Sequence, residues 1–359
     1  MFKVYVRFII LSFLKSLMLV SIIFFTLVFI LNTLTEVEFF NEIKVEPYFP
    51  IYISLLNTPA LLFEMFPFIF LIATQLFFIN IFNSNQIQIF KYSGLKNTKI
   101  LGIITITSFF SGVIIISLFY SLSSNLKNIY LEIKNKYTTD GKYLAVITNN
   151  GLWIKDNYYD DITNIIHASK IEDHFLTDNF ITQFDKDYNV LRYVYSKKID
   201  IKENNWQIFD PTIYEDEVTL KKDFIKIYSN FNYEKIQSLF SNLSSLSIIE
   251  LFELKKNYRS LNYSTTEVDI QIQKIISYPF YLFLMTILSS VIMFSTKNFE
   301  STTLKISVGL FLSVIIYYIN NFFLVMGKTE KLSINIAIWL PLFLLFITSI
   351  IISNKINEK

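Results

Sequence analysis

Six stretches of this chain stay apolar for about twenty residues or more, a pattern that a soluble globular fold cannot bury. They run from Phe8 to Leu34, Ala60 to Phe82, Ile100 to Leu122, Ile275 to Ser295, Leu304 to Met326 and Ile334 to Ser353. A helix rising about 1.5 Å per residue needs about 20 residues to cross some 30 Å of hydrocarbon. Lipid offers the backbone no hydrogen-bond partner, so each stretch is expected to be a membrane-spanning helix. Composition agrees: 52% of the 359 residues are hydrophobic, with only 7 Gly and 7 Pro. The net charge of +2 gives no footprint for nucleic acid. With no cysteine there is no disulfide, thiolate metal site or cysteine nucleophile.

The lysines orient the spans. The connection after the second span, Asn83 to Lys99, carries Lys91, Lys96 and Lys99 and no acidic residue, and Lys3 and Arg7 precede the first span. By the positive-inside rule both termini and this loop are cytoplasmic. The first connection, with Glu36, Glu38, Glu42 and Glu46 against a single Lys44, is external, as is the long middle segment. The first span is too long for a signal-peptide core and no small-residue cleavage site follows it, so it is expected to be retained. Within the basic loop, Ile87, Ile89 and Phe90 give a short helix an apolar face, and Ser93-Gly94 is its expected stop. Such a helix is a handle for a cytosolic partner.

Residues 124–270 read differently, with short alternating apolar runs among charges. The run YLAVIT, Asn149-Asn150-Gly151 and LWIKD reads as a hairpin, because Asn-Gly supplies the positive φ angles of a tight turn. Asn179 to Phe184, Val190 to Ser196 and Trp206 to Phe209 are further strands, separated by turns at 185–189 and 202–205, and Ser245 to Tyr258 is helix-like. The expected fold is an α-helical polytopic membrane protein with three plus three spans and an inserted all-β domain of jelly-roll type. Its parts are residues 1–123, the domain 124–270, and residues 271–359.

Two charges fall inside spans. Lys15 near the cytosolic interface either snorkels or meets an anionic lipid group. Glu64, between Pro59 and Pro67, either serves a transport path or is a hydrogen-bonded packing residue. Gly327-Lys328-Thr329 resembles the end of a P-loop, but Phe322 stands where the first glycine belongs and a membrane helix precedes it. His167 and His174 are the only histidines, with no further ligand placed beside them. There is no G-x-S-x-G motif. No catalytic chemistry or cofactor is indicated.

The arrangement resembles the LptF/LptG permease family of the bacterial lipopolysaccharide exporter. Thr58-Pro59, Phe66-Pro67, Asn85-Gln86-Ile87 and Ser93-Gly94 are similar to that family's proline-bearing helix and coupling loop. Gly151 to Asp156 (GLWIKD), Leu246 to Tyr258, and Lys274 with Pro279 look like the LptG branch, and Trp339-Leu340-Pro341 fits its last helix. The resemblance implies a non-catalytic inner-membrane subunit that pairs with an LptF-like permease on two copies of an LptB-like ABC ATPase. It implies that lipopolysaccharide is extracted and passed through periplasmic jelly rolls to LptC and LptA, toward outer-membrane biogenesis. Gln86, Ile87, Ile89, Phe90, Lys91, Ser93 and Gly94 would then form the ATPase-coupling element, and Lys44, Glu64 and Lys274 would contact lipid. Two departures stand out: Gln86 replaces the family's usual glutamate, and the outer end of the first span is acidic apart from Lys44. The alternatives are a mechanotransmission-type ABC permease, and a membrane-anchored scaffold or enzyme that moves no lipid.

Overall fold

The computed structural model describes residues 4–84, 86–92, 94–137, 152–158, 162–172, 174–215, 218–233, 236, 242–260, 264–295 and 301–357. The Asn149-Asn150-Gly151 turn, the strand before it, Asn85 and Ser93 lie outside them. The chain divides into two units, one of Met1–Tyr130, Ser244–Phe252 and Thr265–Lys359, the other of Leu131–Leu243 and Glu253–Ser264.

Among the described residues, the first unit holds six helices long and apolar enough to cross a membrane. They are α1 (Val4–Phe39), α2 (Phe49–Asn83), a third built from α4 (Asn97–Ile114), a π-helical turn (Ile115–Tyr120) and α5 (Ser121–Asn135), then α7 (Thr266–Ser295), α8 (Thr302–Lys328) and α9 (Ile334–Asn357). Short α3 (Gln86–Tyr92) lies in the basic loop, and α6 (Ile248–Ser260) precedes α7. The apolar windows of α2 and α7 are 67% and 72% buried, against 17% for α1 and α8, so α2 and α7 form the middle. Helix α2 begins eleven residues before Ala60, with Pro50 in its first turn and Pro59 inside it. The residues that lower its hydropathy there are buried against α1: Asn32 Nδ2 donates to the Ser54 carbonyl (3.0 Å), and Asn57 Nδ2 donates to Asn32 Oδ1 (3.2 Å).

Polar side chains join the central helices where dispersion alone gives little selectivity. Ser289 Oγ donates to the Leu71 carbonyl at 2.7 Å, and Thr286 Oγ1 to Ser108 Oγ at 2.8 Å. Pro67 has no N–H, which frees the Phe63 carbonyl four residues earlier, and Tyr278 Oη donates to that carbonyl. A Cβ on Gly112 would stand 3.0 Å from Pro279 Cα, so the third span and α7 cross closely there. Gly327, in the P-loop-like tripeptide, has an equally structural use, since a Cβ on it would stand 2.7 Å from Ala337 Cβ of α9.

The second unit carries eight antiparallel strands among the described residues: β1 (Leu152–Tyr158), β2 (Ile162–Glu172), β3 (Phe175–Phe184), β4 (Val190–Asp200), β5 (Asn205–Phe209), β6 (Thr212–Glu215), β7 (Val218–Lys221) and β8 (Phe224–Tyr228). The order is β1-β2-β3-β4-β5-β8, with β6 on β4 and β7 on β6. Thus β5 pairs with Lys198 to Asp200, and β6 pairs with Tyr193 to Tyr195 of the same strand. The inner face holds Leu152, Ile154, Ile166, Ile181, Val194 and Ile213, all at most 2% exposed. Fully buried Trp206 donates through Nε1 to the Phe231 carbonyl at 2.6 Å. Along β2, β3 and β4 the inward row Ala168–Asn179–Ser196 is followed, three residues away, by Ile171–Leu176–Ile199, whose last two members are also buried. Strict alternation would allow only two or four residues. The ladder skips Ser169, Asp178 and Lys197 between these rows, and Asp178 has φ 49°, so the sheet turns a corner across three strands there.

Candidate functional site

A cavity of about 220 Å³ opens among α2, α7, α8 and α9. Helical spacing aligns its walls. Lys274, Ser277, Tyr278 and Tyr281 share one face of α7, while Tyr317, Asn320, Asn321 and Leu324 share one face of α8. Helix α2 contributes Phe63, Glu64, Pro67 and Phe68, and α9 contributes Ile338 and Leu342. Tyr278 stacks on Phe63 with centroids 4.5 Å apart and planes 15° apart, and its bond to the Phe63 carbonyl fixes the ring at the proline bend.

A second chamber of about 40 Å³ shares Phe63, Glu64, Lys274 and Tyr278 and adds Tyr120, Ser123, Ser244 and Gln271. It is large enough for water. Beside it Lys127 Nζ donates to Ser244 Oγ at 2.5 Å, and Tyr120 Oη to the Leu246 carbonyl at 2.9 Å. Glu64 and Lys274 therefore stand where the two chambers meet, a carboxylate and an ammonium within apolar helices. Opposite charges at one spot lower the cost of holding either one in a membrane. Apolar walls, phenols, amides and a charge of each sign suit one part of an amphiphile. The volume falls below the roughly 300–1,000 Å³ of a site that encloses a whole drug-sized ligand.

The structure thus brings Glu64 and Lys274 together, whereas Lys44 is an exposed residue of the α1–α2 connection and lines neither chamber. Tyr278, Tyr281, Tyr317, Asn320 and Asn321 escaped the sequence reading. Their signal was available: Tyr278 and Tyr281 follow Lys274 at spacings of four and three, and Asn320 and Asn321 stand three and four residues after Tyr317, a polar stripe on each apolar span.

At the basic loop, Gln86 to Tyr92 forms α3. Gly94 adopts φ 74° and the Leu95 N–H donates to the Phe90 carbonyl at 2.9 Å, the six-to-one bond of a glycine-terminated helix. Ile87 is buried, while Ile89 is 60% exposed. Ile89, Phe90, Gln86 and Leu95 join Val4, Tyr5 and Phe8 of α1 around an apolar groove of about 480 Å³. Phe8 and Phe90 meet edge to face at 6.1 Å. Nothing is described for Ser93 or for the Lys91 side chain. Among the described residues no cluster of three or more His, Asp or Glu could hold a metal ion.

A family model described as lipopolysaccharide export system permease LptF/LptG matches residues 7–355. No curated protein matches the chain.

Proposed function

Because the chain belongs to the LptF/LptG family of lipopolysaccharide export permeases, we propose that it is the transport subunit of an ATP-driven lipopolysaccharide exporter and hydrolyses no nucleotide itself. The observation that carries this reading is the cavity among α2, α7, α8 and α9, where apolar walls surround Glu64 and Lys274. Within the bilayer it would hold part of the lipid, Lys274 facing an anionic group and the tyrosines and asparagines its polar shoulder. The termini and α3 lie in the cytosol and the sheet unit in the periplasm, as the lysine distribution favours. A second permease of the same family completes the membrane part, and of two LptB-like ATPase subunits one docks at α3 and its groove. The β-domain receives the lipid and hands it to LptC and the LptA bridge.

Two measurements test this. A photo-crosslinker at Ile89, whose side chain is well exposed, should capture an ABC ATPase subunit in cells; expression and insertion without such capture would remove the coupling role. In proteoliposomes holding the reconstituted complex, Glu64→Leu should lower ATP-dependent lipid release while complex yield is unchanged. Normal release would return Glu64 to a packing role.

A further inference from the structure

The sequence GLWIKD contains Trp153, which is 58% exposed while its neighbours Leu152 and Ile154 are buried at 1%. Its outward ring begins a row that crosses six strands at one register: Trp153, His167, Phe180, Tyr195, Thr212 and Lys221. The adjacent row on the same face runs Lys155, Ile165, Thr182, Tyr193, Tyr214 and Thr219. Phe180, Tyr195, Tyr193 and Tyr214 are 36–46% exposed. The Trp153 and His167 rings lie 4.4 Å apart and those of Phe180 and Tyr193 5.6 Å apart, so two pairs of rings stand side by side on this face. At about 4.8 Å per strand the platform extends about 24 Å. Its two lysines stand at opposite ends, Lys221 on β7 and Lys155 on β1, and neither row contains an acidic residue.

We propose that this outer face of the sheet binds the phosphorylated oligosaccharide of the exported glycolipid, an inference that rests on the function proposed above. The cargo named by the family carries sugar as well as lipid, and the cavity among the spans suits the lipid part. Sugar rings present C–H faces that stack on aromatic rings, and their hydroxyls need donors and acceptors between the rings. Thr182, Thr212 and the tyrosine hydroxyls supply these. Terminal lysines with no opposing carboxylate in either row complement phosphate groups at the two ends of a short chain. A face that lies on a lipid surface would carry aliphatic side chains to enter it, and Ile165 is the one aliphatic residue in the two rows.

The test uses the full-length protein in zwitterionic nanodiscs and, as probe, the fully deacylated, phosphorylated oligosaccharide released from lipopolysaccharide, with its phosphatase-treated form as comparison. Saturable binding is expected in titration calorimetry, accompanied by a shift of the emission component that Trp153→Ala removes. Trp153→Ala and Phe180→Ala should each weaken binding about fivefold, the range of one lost aromatic contact. Lys155→Gln with Lys221→Gln should abolish the preference for the phosphorylated form, and Lys202→Gln, at an exposed lysine outside both rows, should leave binding unchanged. Absence of saturable binding overturns the proposal, as does binding indifferent to the ring variants. So does quenching of Trp153 by brominated phosphatidylglycerol without any response to oligosaccharide, which would assign the face to a membrane surface. If the probe fails to bind while the reconstituted complex still releases lipopolysaccharide, the sugar site falls and the exporter stands. If the probe binds but no release occurs, the exporter reading falls and the sugar site stands.

Discussion

Among the spans, Asn32, Gln75 and Ser289 are buried while Ile22, Phe311 and Tyr318 are exposed; in the sheet unit Trp206, Ile199 and Ile208 are buried while Lys155, Lys170 and Lys221 are exposed. The inversion follows from the two solvents. Lipid tails are as apolar as leucine, so burying leucine gains little there and a buried polar pair gains selectivity. Water drives the opposite sorting in the sheet. Polar residues are therefore informative inside the span unit, where Glu64, Lys274 and Gln75 mark the cavity and a helix crossing. In the sheet unit the informative residues are the exposed rings.

Two matched substitutions would break the comparison if it is wrong. Ile22 on α1 and Val218 on β7 are 55% and 54% exposed. Ile22→Asp places a carboxylate near the middle of a span and should cost about 3–4 kcal/mol of insertion free energy. Val218→Asp, which faces Glu215 across the β6–β7 ladder, should cost no more than about 1 kcal/mol. Glycosylation-reporter insertion for the first and thermal unfolding for the second measure these, and similar costs would mean that α1 does not face lipid.

A smaller effect sharpens the polar side. Gln75, fully buried in α2, donates through Nε2 to the Lys305 carbonyl of α8 at 2.9 Å, and a Cβ on Gly309 would stand 2.2 Å from that nitrogen. Gly309→Ala must displace the amide, and overpacking less the helix-propensity gain predicts a loss of up to about 2 kcal/mol. With Gln75→Ala the obstacle is gone, and the same substitution should become neutral or stabilising by up to about 1 kcal/mol. Unfolding in detergent across the four-member cycle reads the coupling. Additivity would show that the glycine is not there for the glutamine.

Smaller still is Tyr278→Phe, which leaves the Phe63 carbonyl with neither the hydroxyl nor a proline amide. The expected cost is about 0.6 kcal/mol, the average for a hydrogen bond between membrane helices. Pro67→Ala would restore an N–H to that carbonyl, so in its background Tyr278→Phe should cost nothing measurable. An undiminished cost would place the tyrosine's contribution in its stack on Phe63 rather than in its bond.

The spans were legible because their apolar runs exceed anything a soluble core needs, and β3, β4 and β5 because their alternation has period two. Helix α2 started earlier than its hydropathy indicated because Ser54 and Asn57 are buried against α1, where Asn32, 22 to 25 residues away, bonds to both. The corner at Ser169, Asp178 and Lys197 exists only once three strands are in register. Glu64 was singled out by its charge, and Lys274 by its place in a family-like segment. Their meeting at two chambers depends on how α2 and α7 pack, where Tyr278 of α7 reaches the Phe63 carbonyl that Pro67 frees on α2. The ring platform was hidden for the same reason: Trp153, Phe180 and Tyr195 are far apart in sequence and become neighbours only through strand pairing.

The smallest expected effect lies at the β3–β4 turn. Asp185 Oδ1 accepts from the backbone N–H of Asp187 (2.9 Å) and of Asn189 (2.8 Å), and Oδ2 accepts from Asn189 Nδ2 at 3.1 Å. These bonds, that of the Asn189 side chain foremost, favour the carboxylate and hold its pKa below the ordinary 3.8. A carboxyl group depressed in the folded state stabilises it fully above the unfolded value, and that stabilisation is lost as pH falls through the folded value. The melting temperature of Asp185→Ala should therefore trail the parent protein at pH 6, with the gap closing only once the pH drops below about 3.8. The turn stands in water, so the gap at pH 6 should be small. In the spans a lost hydrogen bond has no water to replace it; a gap at Asp185 as large as that for Tyr278→Phe, or one independent of pH, would contradict the contrast between the two solvents at its most exposed point.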